Sequence, residues 1–155
     1  MYKRQVLFSE SFQYVNIKKS FEKIPSLLND NGKLLICDFF RQPGTGTKPL
    51  GGGHDWKVFQ DHLNSFPFNN ILDIDITRET ARTYDLIDKI INDVALPVRD
   101  LSSTYLSSQY PKGMRLLKWF FRKKINRMNR IYFKGNMKGE MFNKLKTYRV
   151  LLYDI

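Results

Sequence analysis

The run KLLICDFF at residues 33–40 constrains the fold of this chain more than any other stretch, because apolar side chains fill most of its positions without alternation. A continuous apolar strand is typical of a parallel sheet that helices cover on both faces. Parallel strands also need a crossover connection, which is usually a helix. The run therefore predicts an α/β protein with a parallel sheet.

Periodic segments on both sides of this run support that prediction. Before it, residues 6–8 are typical of a buried strand, and Ile17, Phe21, Ile24 and Leu28 have the spacing of the apolar face of a helix. Later in the chain, the pattern predicts a helix capped by Asp55 with Trp56, Phe59 and Leu63 on one face, and then an alternating strand at 71–76. A helix at 80–94 follows, with Leu86, Ile87, Ile90 and Val94 inward, and Pro97 ends it. The last two predicted elements are a helix at 114–132 and a strand at 147–153.

The excess of positive over negative charge is confined to the last third of the chain. The net charge is +11, yet residues 1–110 hold 13 basic and 13 acidic side chains. Residues 111–155 hold 13 lysines and arginines against Glu140 and Asp154. The excess therefore describes one segment, and it is not a nucleic-acid signal for the whole chain.

Length and cysteine content define the broad class. The chain has 155 residues, of which 42% are hydrophobic and 14% aromatic, which is enough for one domain with a real core. Cys37 is the single cysteine, so no disulfide framework can form and a reducing, cytoplasmic location is expected. No apolar run approaches the roughly 20 residues of a membrane helix, so we expect a soluble protein.

Two parts of the sequence carry a resemblance to a known family. SESFQYV at 9–15, the helix after it and LLNDNGKLLICDFFR at 27–41 resemble the fourth strand, the following helix and the fifth strand of class I S-adenosylmethionine-dependent methyltransferases. LNDNG stands where that family has a loop of the type LKPGG. GGGHDWKVFQDHL, ILDIDIT and KTYRVLLYDI resemble the remainder of the domain in members that act on small molecules under a helical substrate cover.

The resemblance implies the C-terminal half of a Rossmann-like sheet, strands four to seven, with a helical cap at about 80–143 before the last strand. It covers 6–155 and lacks three strand–helix units, about 90–100 residues at roughly 30 each. We therefore expect a fragment of a longer methyltransferase, with 1–5 (MYKRQ) as a non-native sequencing-adapter leader. Such a fragment would be inactive, would not bind S-adenosylmethionine alone, and would be poorly soluble because its first strand has an open edge.

The cofactor and acceptor residues are expected at the carboxyl ends of the strands, where ligands of open α/β sheets bind. Ser9, Glu10 and Ser11 follow the first strand, and the resemblance places them near the methionine part of S-adenosylmethionine. The expected acceptor-binding residues are Phe12, Tyr14, Asp38, Phe39 and Trp56. For Phe12 and Tyr14, packing beneath the helical cover is an equal alternative.

Glu10 and His54 are the candidate catalytic residues. A carboxylate at the end of a buried strand needs a partner, which makes Glu10 hard to explain as a surface residue. His54 could take the proton of a hydroxyl or phenol acceptor, although a loop histidine near a helix start is the alternative. His54 and His62 have no third ligand near them in sequence, so no metal site is expected.

The basic helix at 114–132 has three interpretations. It could belong to the substrate cover with its charges solvated, or rest through Trp119 and Phe120 on an anionic membrane and admit a lipid-like acceptor. Nucleic-acid binding is the third and weakest interpretation, since no recognition motif accompanies the charge. A rival to the enzyme is thus a non-enzymatic basic α/β module that binds an anionic membrane or RNA.

Overall fold

The computed structural model describes residues 3–45, 50–132 and 137–155, and in these ranges four strands form one open sheet. The strands are β1 (Lys3–Ser9), β2 (Leu28–Arg41), β3 (Asn69–Asp75) and β4 (Lys146–Asp154), in the spatial order β1-β2-β4-β3. β1 is parallel to β2, whereas β4 lies between β2 and β3 and is antiparallel to both. The α/β prediction is confirmed, but the expected all-parallel sheet is wrong for the last strand. Lys146 pairs with Arg41 at the carboxyl end of β2, so the chain enters at that edge and runs back.

The helices divide differently from the sequence pattern. They are α1 (Ile17–Leu27), α2 (Trp56–Leu63), α3 (Thr77–Ile90), α4 (Leu96–Gln109), α5 (Pro111–Phe120), α6 (Arg122–Tyr132) and α7 (Gly139–Leu145). A π-helical segment, Ile91–Ala95, joins α3 to α4, and Pro97 lies in the first turn of α4. Pro97 therefore does not end the helical run, because the first turn tolerates a missing N–H. The predicted helix at 114–132 is interrupted at Phe121, whose backbone leaves the helical region.

The expected leader and the expected helical cap both include residues that lie outside the described ranges. Residues 3–5 of the expected leader form the start of β1, where Gln5 pairs with Lys33. Backbone pairing does not require apolar side chains, which is why polarity gave no sign of this strand. Residues 1 and 2 of the leader, and 133–136 of the expected helical cap, lie outside the described residues.

The main core lies between one face of the sheet and the helices α1 and α2. The Asp55 carboxylate accepts hydrogen bonds from the N–H groups of Lys57 and Val58, so the predicted cap of α2 is confirmed. Side chains from the sheet, α1, α2 and the turn after β1 fill this core, and its fully buried members include Phe12, Phe21, Leu34, Ile36, Phe40, Phe59, Leu151 and Tyr153.

The opposite face of the sheet is covered at one end only. Tyr148 packs there with Ala81 of α3 and Phe142 of α7. Further along the strands, the register aligns Leu7, Leu35, Leu152 and Leu72 in one row across all four strands. Leu7 is 59% exposed and Leu72 is 40% exposed. The strand KLLICDFF is thus covered on one face, while a row of leucines stays open on the other.

The helical segment also leaves apolar side chains in solvent. Leu86, Ile90 and Val94, which the pattern predicts to face inward, are exposed. The 3.6-residue period was correct for the helix, but a period does not show whether another element packs against the apolar face.

Gly139 allows α7 to pack closely against α3, and replacing it tests that contact. Its N–H donates to the Asp85 carboxylate (2.8 Å), and a Cβ added to it would lie 2.5 Å from the Ala81 carbonyl oxygen. Gly139→Ala is expected to lower the free energy of unfolding by about 1–3 kcal/mol in urea denaturation, because the backbones must separate.

Gly113 of α5 provides the matched control. A Cβ there meets nothing closer than 3.9 Å, so Gly113→Ala should leave stability unchanged or raise it by up to about 1 kcal/mol. Equal effects of the two substitutions would contradict a tight α3–α7 contact.

Candidate active site at the carboxyl ends of the strands

A pocket opens where the ends of β1 and β2 and the start of β4 meet α3. Its volume is about 510 Å³, and both polar and apolar side chains line it. Glu10, Phe39 and Tyr148 come from the sheet side, and Thr83, Tyr84 and Ile87 come from α3. The pocket lies at the edge of the sheet where ligands of open α/β folds bind.

Glu10 has the most unusual backbone in this pocket. Its φ is +49°, and it is the one non-glycine residue with positive φ among the described residues. The N–H of Glu10 donates to the carbonyl oxygen of Cys37 (2.8 Å), which holds the turn against the end of β2. A left-handed conformation costs a non-glycine residue about 1 kcal/mol, and such strain occurs most often at functional sites.

Tyr148 of β4 holds the side chain of Glu10 through a hydrogen bond. Its hydroxyl donates to Glu10 Oε1 (2.9 Å) and accepts from the Cys37 thiol, with 3.7 Å between Sγ and Oη. Burial, followed by the hydrogen bonds with Cys37 and Glu10, raises the pKa of Tyr148 well above its usual range. The phenol therefore stays protonated and serves as a donor at neutral pH.

Tyr84 brings a second phenol to the same pocket from α3. Its ring stacks on Phe142 with 4.3 Å between the centroids. Burial raises the pKa of Tyr84, and the negative charge of Glu10 adds to the shift. Glu79 of α3 also lines the pocket. The pocket therefore contains two carboxylates and two neutral phenols, which are suited to hold a polar group of a small molecule.

Asp38 does not line the pocket, but it stabilises the turn next to it. It is buried, and its carboxylate accepts from the N–H of Gln13 (3.1 Å) and from its neighbour Phe39 (2.8 Å). Burial raises the pKa of Asp38, although these hydrogen bonds act in the opposite direction. Asp38 therefore ties the turn after β1 to the end of β2.

Lys146 anchors the glycine-rich loop beside the site. Its amine is buried and donates to the carbonyl oxygens of Gly51 (2.8 Å) and Gly52 (2.6 Å), and it lies 4.9 Å from the centroid of the Phe39 ring. Burial, followed by the nearby positive charge of Arg41, lowers the pKa of Lys146 to about 8. Residues 46–49 of this loop lie outside the described residues.

The structure distributes the predicted residues after β1 over several environments. Glu10 and Phe39 share the pocket, and Glu10 is exposed there, as are Ser9 and Ser11 on either side of it. Tyr14 is 81% exposed. Phe12 is fully buried among the rings of the main core.

His54 and Trp56 lie away from the pocket that Glu10 lines. The Nε2 atom of His54 is 3.0 Å from the carbonyl oxygen of Phe12, and the ring lines a surface cleft with His62. Trp56 packs on Phe59 and carries Arg149 over its ring, 5.0 Å from the centroid. The structure therefore does not bring His54 and Glu10 into one pocket.

Sequence reasoning missed Tyr148, Tyr84 and Lys146. Each lies in a predicted strand or helix, or at its border, where its residue type has an ordinary structural explanation. Only the position of β4 beside β2 brings Tyr148 to Glu10, 138 residues away in sequence. No local signal could have identified that pair.

The described residues contain neither a cluster of metal-ligating side chains nor a helix suited to span a membrane. No group of three or more histidine, cysteine, aspartate or glutamate side chains in those residues is arranged to hold a metal ion. No helix in the described part of the chain combines the length and apolarity needed to cross a membrane.

Comparison with solved structures identifies the fold as part of the class I methyltransferase fold. A protein described as a sarcosine dimethylglycine methyltransferase from Galdieria sulphuraria superposes with a TM-score of 0.55 at 12% identity, over 98% of this chain and 52% of its own. An O-methyltransferase from the trans-AT PKS multienzyme of Brevibacillus brevis, solved with S-adenosyl-L-homocysteine, gives 0.52 at 15% identity, over 97% of this chain and 43% of its own. The chain thus spans about half the length of these structures. No protein-family model and no curated protein matches the sequence.

Proposed function

We propose that this chain forms the acceptor side of an S-adenosylmethionine-dependent methyltransferase that acts on a small molecule. The observation that carries the proposal is the fold similarity, over 98% of this chain, to the protein described as a sarcosine dimethylglycine methyltransferase. The strained Glu10 at the carboxyl end of β1 supports it, because that edge of the sheet is where such folds bind ligands.

The uncovered surfaces of the sheet support a second part of the proposal, that methyl transfer needs a complementary donor half. Within the described residues β1 pairs only with β2, so its outer edge has no partner strand. The row of leucines on the open face, from Leu7 to Leu72, is the kind of surface that further helices cover. The half-buried thiol of Cys37 fits a reducing cytoplasm as the location of the enzyme.

Glu10, Tyr148 and Tyr84 are proposed to hold the acceptor. S-Adenosylmethionine, when bound, supplies an electrophilic methyl group, and the rate then depends on in-line positioning of the acceptor atom. The Glu10 carboxylate would accept a hydrogen bond from an acceptor hydroxyl or amine and take its proton. Tyr148 keeps the carboxylate in place, and Ile87 and Phe39 supply apolar lining of the pocket.

The test measures transfer of a radiolabelled methyl group by a longer protein. In that protein, the residues encoded upstream of this chain at its source precede it. Glu10→Gln is expected to lower the rate about 100-fold or more, because the amide cannot accept the proton. Tyr148→Phe should lower the rate about tenfold through loss of one hydrogen bond. Glu22→Gln on the exposed side of α1 removes the same charge and should leave the rate unchanged.

The 155 residues alone provide the second measurement. Calorimetry is expected to find no binding of S-adenosyl-L-homocysteine to this chain, because most of the cofactor contacts are assigned to the donor half. Micromolar binding would refute that division. A full rate for Glu10→Gln would instead remove Glu10 from the mechanism and leave the division intact.

A further inference from the structure

We propose that α5 and α6 dock on an anionic phospholipid membrane through an aromatic tip surrounded by basic side chains. The tip consists of Trp119, Phe120 and Phe121, where α5 ends and α6 begins. This proposal concerns a surface away from the Glu10 pocket, and it does not depend on methyl transfer.

The tip is a continuous aromatic surface in solvent. Trp119 is 70% exposed and Phe120 is 74% exposed. Their ring centroids are 6.4 Å apart, and those of Phe120 and Phe121 are 5.6 Å apart. Tryptophan and phenylalanine favour the boundary between lipid headgroups and acyl chains, so this tip is suited to shallow insertion.

The charges around the tip complement an anionic surface. Residues 111–132 contain eight lysines and arginines and no carboxylate. Lys118, Arg122, Lys123 and Lys124 flank the aromatic residues and are all exposed. Within the described residues none of these four forms an ion pair with a carboxylate. Their charge is therefore available to lipid phosphates and carboxylates.

The aliphatic surface beside the tip favours a membrane over a nucleic acid. Leu116 and Leu117 are exposed next to Trp119, and Leu117 also lines a groove of about 690 Å³ between α4, α5 and α6. The groove is mostly apolar, with Met114, Ile125 and Met128 among its lining residues. A nucleic acid would neutralise the basic residues but leave these aliphatic groups in water, whereas a membrane accommodates both.

A second copy of the chain is a poorer occupant for the same surface. Two copies that met through α5 and α6 would bring together two segments of eight positive charges each with no carboxylate between them. Like charges in contact disfavour such an assembly, whereas each lysine or arginine near an anionic bilayer strengthens binding about fivefold.

The experiment is vesicle flotation of the full chain at two salt concentrations. Binding is expected to vesicles containing phosphatidylserine, to be absent with phosphatidylcholine alone, and to weaken at higher salt. Replacing Arg122, Lys123 and Lys124 together by glutamine should weaken binding about 100-fold. Trp119→Ser with Phe120→Ser should weaken it about tenfold or more, since the inserted surface is lost.

Matched variants and a competing ligand decide the interpretation. Lys18, Lys19 and Lys23 lie exposed on α1, and replacing them by glutamine removes the same charge without touching the tip. This control should bind vesicles as the unchanged chain does; an equal loss would overturn the proposal. Tighter binding to RNA than to anionic vesicles at the same salt would also overturn it, as would self-association that depends on Trp119.

Discussion

Replacing Phe12 by alanine is expected to lower the free energy of unfolding by about 3–5 kcal/mol. The Phe12 side chain is completely buried. Its ring contacts five others, those of Phe8, Phe21, Phe40, His54 and Phe59. Removing it leaves a cavity at the centre of the main core, where the surrounding rings cannot close the space without leaving their own contacts. Urea denaturation followed by far-UV circular dichroism measures the loss.

Tyr14→Ala is the matched control from the same turn. Tyr14 is 81% exposed, so its replacement should change the free energy of unfolding by less than about 0.5 kcal/mol. The sequence assigned both residues to the acceptor, with packing as an equal alternative for each. A loss below about 1 kcal/mol for Phe12→Ala would contradict its place in the core and return it to the acceptor residues.

Asp38→Ala is the second substitution with a large expected effect, a loss of about 2–4 kcal/mol. The N–H groups of Gln13 and Phe39 would lose the buried oxygens that accept their hydrogen bonds. Asp38→Asn should cost less, because the amide oxygen still accepts one of the two. Since this contact ties the turn to β2, Asp38→Ala should also lower the methyl transfer that we propose for the longer enzyme, even where the variant is folded.

The pH dependence of stability gives an independent check on Asp38. Burial raises its pKa in the folded state, so the folded chain holds this proton more tightly than the unfolded chain does. The resulting stabilisation is complete below the ordinary aspartate pKa of 3.8 and is lost as the pH rises through the raised value. Asp38→Asn cannot titrate, so relative to this variant the unchanged chain should gain stability as the pH falls.

Comparing the unchanged chain with Asp38→Asn separates the effect of Asp38 from that of groups whose pKa is lowered in the folded state. Burial raises the pKa of Asp75, but hydrogen bonds from Thr77 and the charge of Arg149 outweigh it, and the net shift is downward. Asp75 therefore loses its stabilising effect as the pH falls. The difference between the unchanged chain and Asp38→Asn cancels this common contribution. A difference that does not change with pH would contradict a raised pKa for Asp38.

Local chemistry accounts for what could be predicted of the fold. The apolar run at 33–40 became the long strand β2, and Asp55 caps α2 as its position before Trp56 predicts. The rule that open α/β sheets bind ligands at the carboxyl ends of their strands pointed to Glu10 and Phe39, and these two residues line one pocket. These features depend on side chains within a few residues of one another, or on a rule about open sheets.

Whether another element packs against an apolar face could not be predicted in the same way. The periodicity of Leu86, Ile90 and Val94 indicated a helix, and the helix is present with these side chains exposed. Periodicity records which residues share a face, but the partner of that face is a property of the whole assembly. The open row from Leu7 to Leu72 has the same origin.

The sequence by itself determined the α/β class, the strand β2, the cap of α2 and the position of Glu10 at a strand end, because each depends on neighbours along the chain. Only the tertiary structure decided that β4 enters between β2 and β3 and runs against both. That insertion places Tyr148 on Glu10 and Lys146 under the glycine loop, and it leaves His54 in another cleft. The physical reason is that strand order depends on long-range backbone pairing, which local side-chain patterns do not specify.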